Sequence, residues 1–319
     1  MAGTDLEFGP VAFGAMTFGA QVDEAEAARM VHTCREAGVR MFDTSNNYAG
    51  GASEEILGRI VRPFRDEVIV STKGGSHVDQ ADGSLTGLSR EAVQKAVDGS
   101  LRRLGLDHID VYYMHRPDWG TPIEESLAAL DDVVRAGKVR HVAQANFAAW
   151  QVAEMQYLSR ANSWAAVRLG QQMYNLLARR VEAEYVACAE HFGLRTLAYN
   201  PLAGGLLTGK HRQLDDEPQA GSRFTKGMYR DRYWNPVQFA AVERLRGVAK
   251  EAGLELLELA LRWLLGRPLV SGILLGASSH DQLVANLDAV HGPPLDQDTL
   301  DACDGVWEDV GGVAPAYNR

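Results

Sequence analysis

The stretch Met41-Phe42-Asp43-Thr44-Ser45-Asn46-Asn47-Tyr48-Ala49-Gly50-Gly51-Ala52-Ser53-Glu54-Glu55 decides how the rest of the chain is read. Its apolar lead is strand-like, and the small polar residues and glycine pair that follow are loop-like. Asp43 thus stands where a strand ends, and Tyr48 lies in the loop beyond it. A loop needs neither an acid at its start nor a tyrosine in its middle.

Runs of the same strand-like kind recur at residues 11–14, 40–43, 68–73, 109–115, 139–145, 167–174, 194–199 and 271–276. Between them lie amphipathic segments such as 24–37, 90–104, 122–136 and 181–192, closed by Gly38, Gly105, Gly137 and Gly193. Glycine just past a helix end is a common C-terminal stop. Strands alternating with helices imply parallel pairing. Eight such units predict a closed (β/α)8 TIM barrel of the α/β class rather than an open sheet. No Gly-x-Gly-x-x-Gly follows the first strand, which also argues against a dinucleotide fold of the doubly wound kind. One connection is long: between residues 199 and 271 lie an irregular stretch (210–236) and helices at 237–252 and 256–265. Long irregular connections in compact domains are usually functional or disordered. There is no repeat, linker or low-complexity segment, so residues 1–319 read as one domain.

Composition removes several classes. The 319 residues carry a formal charge of −10, whereas a nucleic-acid partner would want a basic face. Cys34, Cys188 and Cys303 are far apart, with no spacing suited to a disulfide framework or a zinc site. No apolar run approaches membrane-spanning length and the start lacks a signal-peptide core, so a cytoplasmic protein is expected.

Active sites of TIM barrels collect at the C-terminal ends of the strands. There the second strand delivers Asp43, the third Lys73 and the fourth His115, with Tyr48 beside them. Each residue alone has an ordinary job: a turn cap, a snorkelling cation, a core-edge histidine, a packed loop aromatic. Together at one rim they form a proton-transfer set. A phenol has an ordinary pKa of about 10. An ammonium beside it favours the phenolate and lowers that value. The lysine needs a carboxylate to tolerate burial, which Asp43 supplies. A neutral histidine orients a carbonyl and shares the relay. Such a set protonates a carbonyl oxygen as hydride reaches the carbon.

These residues carry a resemblance. Phe42-Asp43-Thr44-Ser45 with Tyr48, Gly51, Ser53-Glu54 and Leu57-Gly58 resembles the first signature of the aldo-keto reductases. Leu101-Arg102-Arg103-Leu104-Gly105-Leu106-Asp107 with Ile109-Asp110 and His115 is similar to their second. The run from Ala198-Tyr199-Asn200-Pro201-Leu202 through Gly204 to Lys210 is similar to their segment after the seventh strand. The resemblance covers nearly the whole chain. It implies a catalytic tetrad of Asp43, Tyr48, Lys73 and His115, and a nicotinamide cofactor.

It also implies cofactor positions, with departures. Family members hold the carboxamide with a Ser-Asn pair and a Gln; here Ala145-Asn146 and Gln171 stand there, one hydroxyl short. Tyr199 resembles the aromatic that stacks on the nicotinamide, and Asn200, Pro201, Leu202 and Gly204 follow it. After the eighth strand the family's phosphate-binding lysine is missing; Gly276, Ser278, Gln282 and Asn286 resemble instead the branch containing potassium-channel β-subunits and many bacterial reductases. In that branch Lys210 and Arg223 are the cations expected to meet the cofactor phosphates. An NADP (NADPH) preference follows.

The expected reaction is reduction of an aldehyde or ketone to an alcohol, with a small-molecule carbonyl substrate and neither nucleic acid nor membrane as partner. A cofactor-sensing subunit with little turnover and a tailoring ketoreductase for sugar or polyketide intermediates remain open. A barrel hydrolase would want two close carboxylates or a metal set, and none is visible. The loops after strands one, four and seven and the tail offer Met16, Trp119, Tyr229, Trp234 and Trp307 as substrate-pocket candidates, Met16 and Trp119 foremost beside Tyr48 and His115.

Overall fold

Apolar residues at alternate positions give each strand one face toward a barrel interior and one toward the surrounding helices. The computed structural model describes residues 6–76, 87–215, 218, 221–225 and 227–312. In it the strands close into a barrel in the order β1 to β8, every neighbouring pair parallel. The strands are β1 (Val11–Gly14), β2 (Met41–Asp43), β3 (Ile69–Gly74), β4 (Ile109–Met114), β5 (Val139–Ala145), β6 (Leu169–Met173), β7 (Arg195–Tyr199) and β8 (Gly272–Leu275). The helices are α1 (Glu24–Glu36), α2 (Ala52–Val61), α3 (Arg90–Leu104), α4 (Ile123–Arg135), α5 (Ala149–Asn162), α6 (Tyr185–Phe192), α7 (Gly227–Tyr233), α8 (Pro236–Glu251), α9 (Leu256–Leu265), α10 (His280–Ala289) and α11 (Gln297–Gly311).

The barrel therefore bears out the expectation from the alternating pattern. Two details differ. The expected helix at 181–192 is a short 3-10 turn (Arg180–Glu182) followed by α6. The stretch 210–236 is not wholly irregular: it contains a 3-10 turn at Arg223–Thr225 and α7. Its aromatic residues hold it down. Trp234 packs on His211, Phe224 and Phe239 at ring distances of 4.9–5.2 Å, and its indole N–H donates to the Leu214 carbonyl at 2.9 Å.

Two apolar clusters follow from the alternation. Phe13, Phe42, Val70, Tyr112 and Val142 face outward and pack against the helices. Ala12, Met41, Val111, Tyr113, Ala143, Leu169 and Leu197 fill the barrel interior, and Leu6 and Phe8 join them from the N-terminal segment. Arg195 covers that end, its guanidinium 4.0 Å from the Phe8 ring centre. With the lower barrel filled by these side chains and closed by Arg195, the buried polar residues Asp43, Ser71, Lys73 and Gln171 face inward toward the C-terminal ends of their strands.

Gly58, in the middle of α2, is explained by close approach rather than by backbone angle. A Cβ built there would run into the Leu104 carbonyl at the end of α3. We expect Gly58→Ala to separate these helices and lower the unfolding free energy by about 1–3 kcal/mol. Urea denaturation would read this as a lower midpoint with an unchanged slope.

Candidate active site

Asp43 is the last residue of β2 and Lys73 lies near the end of β3, both inward and both only 1% exposed. The two form a buried ion pair. The pair is well supplied with partners, as a buried charge must be. Asp43 Oδ1 accepts from the Ser71 hydroxyl at 2.7 Å and from the Gln171 amide at 3.3 Å. Lys73 Nζ donates to Asp43 Oδ2, to the Thr44 carbonyl at 2.8 Å and to the Tyr48 hydroxyl at 3.5 Å. Three ammonium protons thus have three acceptors. Burial opposes the charge, but Asp43 and Tyr48 more than offset it, and the lysine pKa is raised. Lys73 is a permanent cation here.

Tyr48 starts a 3-10 turn that runs to Gly51. The glycine pair now has its explanation. Gly51 takes φ +99°, and a Cβ on it would stand 2.7 Å from Cδ of Arg103. Arg103 in turn donates to the fully buried Glu54 at 2.6 Å, whose other oxygen accepts from Thr72 at 2.6 Å. The turn that presents Tyr48 is thereby tied to both β3 and α3. Ser53 adds a tie to the first strand's loop, donating to the Ala15 carbonyl at 2.7 Å.

The Tyr48 pKa corrects the expectation drawn from charge alone. Burial raises it, Lys73 lowers it, and the net direction is upward. The sequence identified the cation but not the depth of the site, and desolvation of the phenolate is the larger effect. In the isolated protein Tyr48 holds its proton.

His115 is the first residue after β4, its N–H bound to the Gly74 carbonyl at 2.8 Å. Its ring meets that of Tyr48 edge-on at 6.0 Å. Burial, Lys73 and Arg116 push its pKa down to about 3, so the ring is neutral at any working pH. Asp43, Lys73, Tyr48 and His115 are brought together as the spacing implied. Chemically the cluster offers a protonated phenol, a fixed ammonium behind it and a neutral imidazole beside it. That is a set for delivering a proton to a developing oxyanion.

A second arc of residues borders the cluster. Asn146, just past β5 and at φ +66°, donates to the His115 carbonyl at 2.9 Å and accepts from the Tyr199 hydroxyl at 2.7 Å. Gln171 reaches inward to Asp43 from β6. Past β7 the chain turns sharply through Asn200, Pro201 and Leu202. Asn200 sits at φ +59°, and its side chain accepts from the Gly204 N–H at 2.7 Å and donates to Tyr233 at 2.9 Å. Past β8, Ser278 donates to Gln282 Oε1 through both N–H (3.1 Å) and hydroxyl (3.0 Å), and Asn286 donates to the Gly276 carbonyl at 3.3 Å.

Arg223 spans this rim. It donates to the Tyr229 hydroxyl at 2.9 Å and to Met16 Sδ at 3.2 Å, and a Cβ on Gly276 would lie 3.4 Å from it. One guanidinium thus joins the loops after β1, β7 and β8. Next to it the Ser222 hydroxyl is buried with no partner among the described residues. Lys210 is exposed, its stem 3.4 Å from where a Gly205 Cβ would be. Amides near the tetrad, and Arg223 with the unpartnered Ser222 hydroxyl beside it, have the donor chemistry that the carboxamide and phosphates of a dinucleotide need. At the α10 N-terminus, capped by Ser279, the His280 N–H donates to Glu26 at 2.8 Å and the Gln282 N–H to the Ser279 hydroxyl. Among the described residues, no group of His, Cys, Asp or Glu could hold a metal.

The pocket candidates fare unevenly. Met16 is partly exposed, and its sulfur accepts from Arg223 at 3.2 Å. Trp119, in the loop after β4, is 79% exposed and pairs with Trp150, 57% exposed, at 6.4 Å. Tyr229 is buried as a partner of Arg223, and Trp234 belongs to the core of the long connection. Trp307 lies on α11, 5.9 Å from the Arg179 guanidinium, and the tail beyond residue 312 lies outside the described residues. Ser45, Ser71, Asn47 and Trp150 escaped the sequence reading. For Ser71 a signal existed: it precedes Lys73 by two positions on a strand and so shares its face.

Comparison with known proteins agrees with this geometry. The Aldo/keto reductase family model matches residues 10–308. The chain is 34% identical to the rat protein named Aflatoxin B1 aldehyde reductase member 2, over 100% of this chain and 90% of the relative. It is 35% identical to the human protein of that name, over 96% of this chain and 88% of the relative. It is also 35% identical to a rice protein named Probable voltage-gated potassium channel subunit beta, over 91% of this chain and 90% of the relative. With a closed parallel barrel, the matching signatures and this span of similarity, the chain belongs to the Aldo/keto reductase family and is an oxidoreductase of it.

Proposed function

We propose that the protein is an NADPH-dependent reductase that converts an aldehyde or ketone to an alcohol, with Tyr48 as the proton donor. The observation that carries this reading is the buried chain Asp43–Lys73–Tyr48, in which a permanent cation stands 3.5 Å behind a protonated phenol. The nicotinamide, when bound, supplies hydride to the carbonyl carbon. Asn146 and Gln171 would hold its carboxamide and Tyr199 would lie against its ring. Gly276, Ser278, Gln282, Asn286 and the turn Asn200–Gly204 would line the nucleotide's path.

The protein's own part is proton control. Tyr48 keeps its proton until charge develops on the substrate, because burial disfavours the phenolate more than Lys73 favours it. As negative charge grows on the carbonyl oxygen, the phenol gives up its proton, and the Lys73 ammonium stabilises the phenolate left behind. Asp43 holds Lys73 in place and keeps it charged. His115, neutral and beside Tyr48, orients the substrate.

The names of the rat and human relatives point to aldehydes as substrates, while the rice relative is named as a channel subunit, and a second reading is a subunit that binds cofactor with little turnover. Initial rates against a panel of aldehydes, ketones and keto-sugars with each cofactor decide between them. Turnover of simple aldehydes supports the reductase; tight cofactor binding with negligible turnover favours the sensor. Three free cysteines without a disulfide fit a cytosolic site of action.

Arg223 should set the cofactor preference. A charge-assisted hydrogen bond contributes roughly 1.5–3 kcal/mol, or about ten- to a hundredfold in affinity. In Arg223→Ala the ratio of kcat/KM for NADPH over NADH should fall by about that factor. Equal losses with both cofactors would mean that Arg223 holds only the rim, through Met16 and Tyr229.

A further inference from the structure

A helix on the outside of a barrel buries one stripe and gives the opposite one to water, where charged residues are usual. α3 and α4 follow that rule: Arg90, Glu91, Lys95 and Arg102 are exposed on the first, Glu124, Glu125 and Arg135 on the second. α5 departs from it. It buries Val152 and Met155, yet its outer side carries Trp150 and Tyr157, 57% and 60% exposed. Residues three and four apart share a helix face, so Trp150, Glu154, Tyr157 and Ala161 form one stripe. Each aromatic is steadied by a second ring, Trp150 by Trp119 at 6.4 Å and Tyr157 by Phe192 at 5.7 Å. A single exposed aromatic needs no explanation, but a contiguous patch of them marks a contact surface. Trp and Tyr held in place lose little freedom on binding and are the usual anchors of such surfaces.

Charge indicates what covers the patch. Glu154 and Arg160 are both exposed, and neither makes an ion pair among the described residues. Glu154 stands three positions before Tyr157 and Arg160 three after it; Trp150 stands seven before and Trp164 seven after. A twofold axis at Tyr157 lays a second α5 antiparallel on the first. It brings Glu154 level with Arg160 of the other copy, and Trp150 level with Trp164, twice over. The face is thus its own complement, which is what a twofold contact between identical chains requires. The formal charge of −10 on each chain opposes association only weakly, because exposed charges are screened beyond about 8 Å at physiological ionic strength. At contact distance the local charges decide.

We propose that this face of α5 is the contact surface of a homodimer, in which two α5 helices cross antiparallel about Tyr157 and Glu154 of each copy pairs with Arg160 of the other. α5 starts just past β5, at the catalytic rim. Antiparallel helices therefore point the two clefts in opposite directions and leave both open.

Sedimentation equilibrium of the full-length protein across the micromolar range tests this. The wild type should have twice the protomer mass of 34.8 kDa. Tyr157→Ala should weaken the dimer about thirtyfold or more, the loss expected for a central anchor. Glu154→Arg and Arg160→Glu should each weaken it about tenfold, because an attraction becomes a repulsion at both pairs. The double swap Glu154→Arg/Arg160→Glu should restore the dimer. Six positions apart on one helix, the two side chains are not neighbours, so that recovery can come only from contact between copies. All these positions are exposed, and far-UV circular dichroism should be unchanged; if a variant does not fold, the wild-type mass decides. A monomeric wild type would leave the face to a foreign protein or an apolar ligand, and overturns the proposal. So does a dimer that no variant weakens, or a loss in the single charge variants that the swap does not repair.

Discussion

Tyr48→Phe enzyme should reduce aldehydes on the order of a hundred times more slowly than the wild type, or worse, while binding NADPH almost unchanged. The substitution removes one oxygen and leaves the ring to pack edge-on against His115, 6.0 Å away. No other group in the cluster can take over the proton. Lys73 has its three protons committed to Asp43, Thr44 and Tyr48 and is buried behind the phenol. His115 has a pKa pushed down to about 3 and holds no spare proton at neutral pH. The loss should therefore appear in kcat, since the phenol acts in the transition state rather than in ground-state binding. Fluorescence titration with NADPH and single-turnover rates separate the two effects. A variant with near-normal turnover would remove Tyr48 from the role assigned to it.

The barrel and the four clustered residues were legible because both rest on short-range regularities. Period two along a strand puts Met41 and Asp43, Ser71 and Lys73, and Tyr113 and His115 on the inner face, and parallel strands then bring their ends to one rim. Helices with a glycine stop were also readable: Gly105 ends α3 and Gly193 ends α6, both at left-handed φ. α5 lacked that mark, ending on Ser163 at φ +57°. α2 begins in the polar run after Tyr48, where small residues read as loop. What stayed hidden depends on contacts between distant segments. Arg223 reaching Met16 across 207 positions, and Trp234 packing into its aromatic nest, have no local signature. Those contacts tie Met16 to Arg223 and pack Trp234 into the long connection. The direction of the Tyr48 pKa was hidden for a similar reason: composition supplies the charges, but only packing supplies the desolvation.

Lys73→Met should lower turnover about as far as Tyr48→Phe, and the double variant should be little worse than either. The ammonium acts only by stabilising the phenolate, so without the phenol it has nothing to stabilise, and groups that act as a unit lose their effects together. A product of the two losses would show that they act separately. The lysine variant carries a complication that can be turned into a control. Removing the cation leaves the Asp43 carboxylate buried, with only Ser71 and Gln171 among the described residues donating to it. An uncompensated buried charge destabilises by about 3–5 kcal/mol, so Lys73→Met alone should show a markedly lower denaturation midpoint. Adding Asp43→Asn removes the charge and keeps an oxygen that can still accept from Ser71. The pair Asp43→Asn/Lys73→Met should therefore regain much of the stability while remaining as inactive as Lys73→Met. Recovered stability without recovered turnover assigns the lysine to chemistry. Recovery of both would mean that Lys73 serves the fold alone and that the phenol works without it.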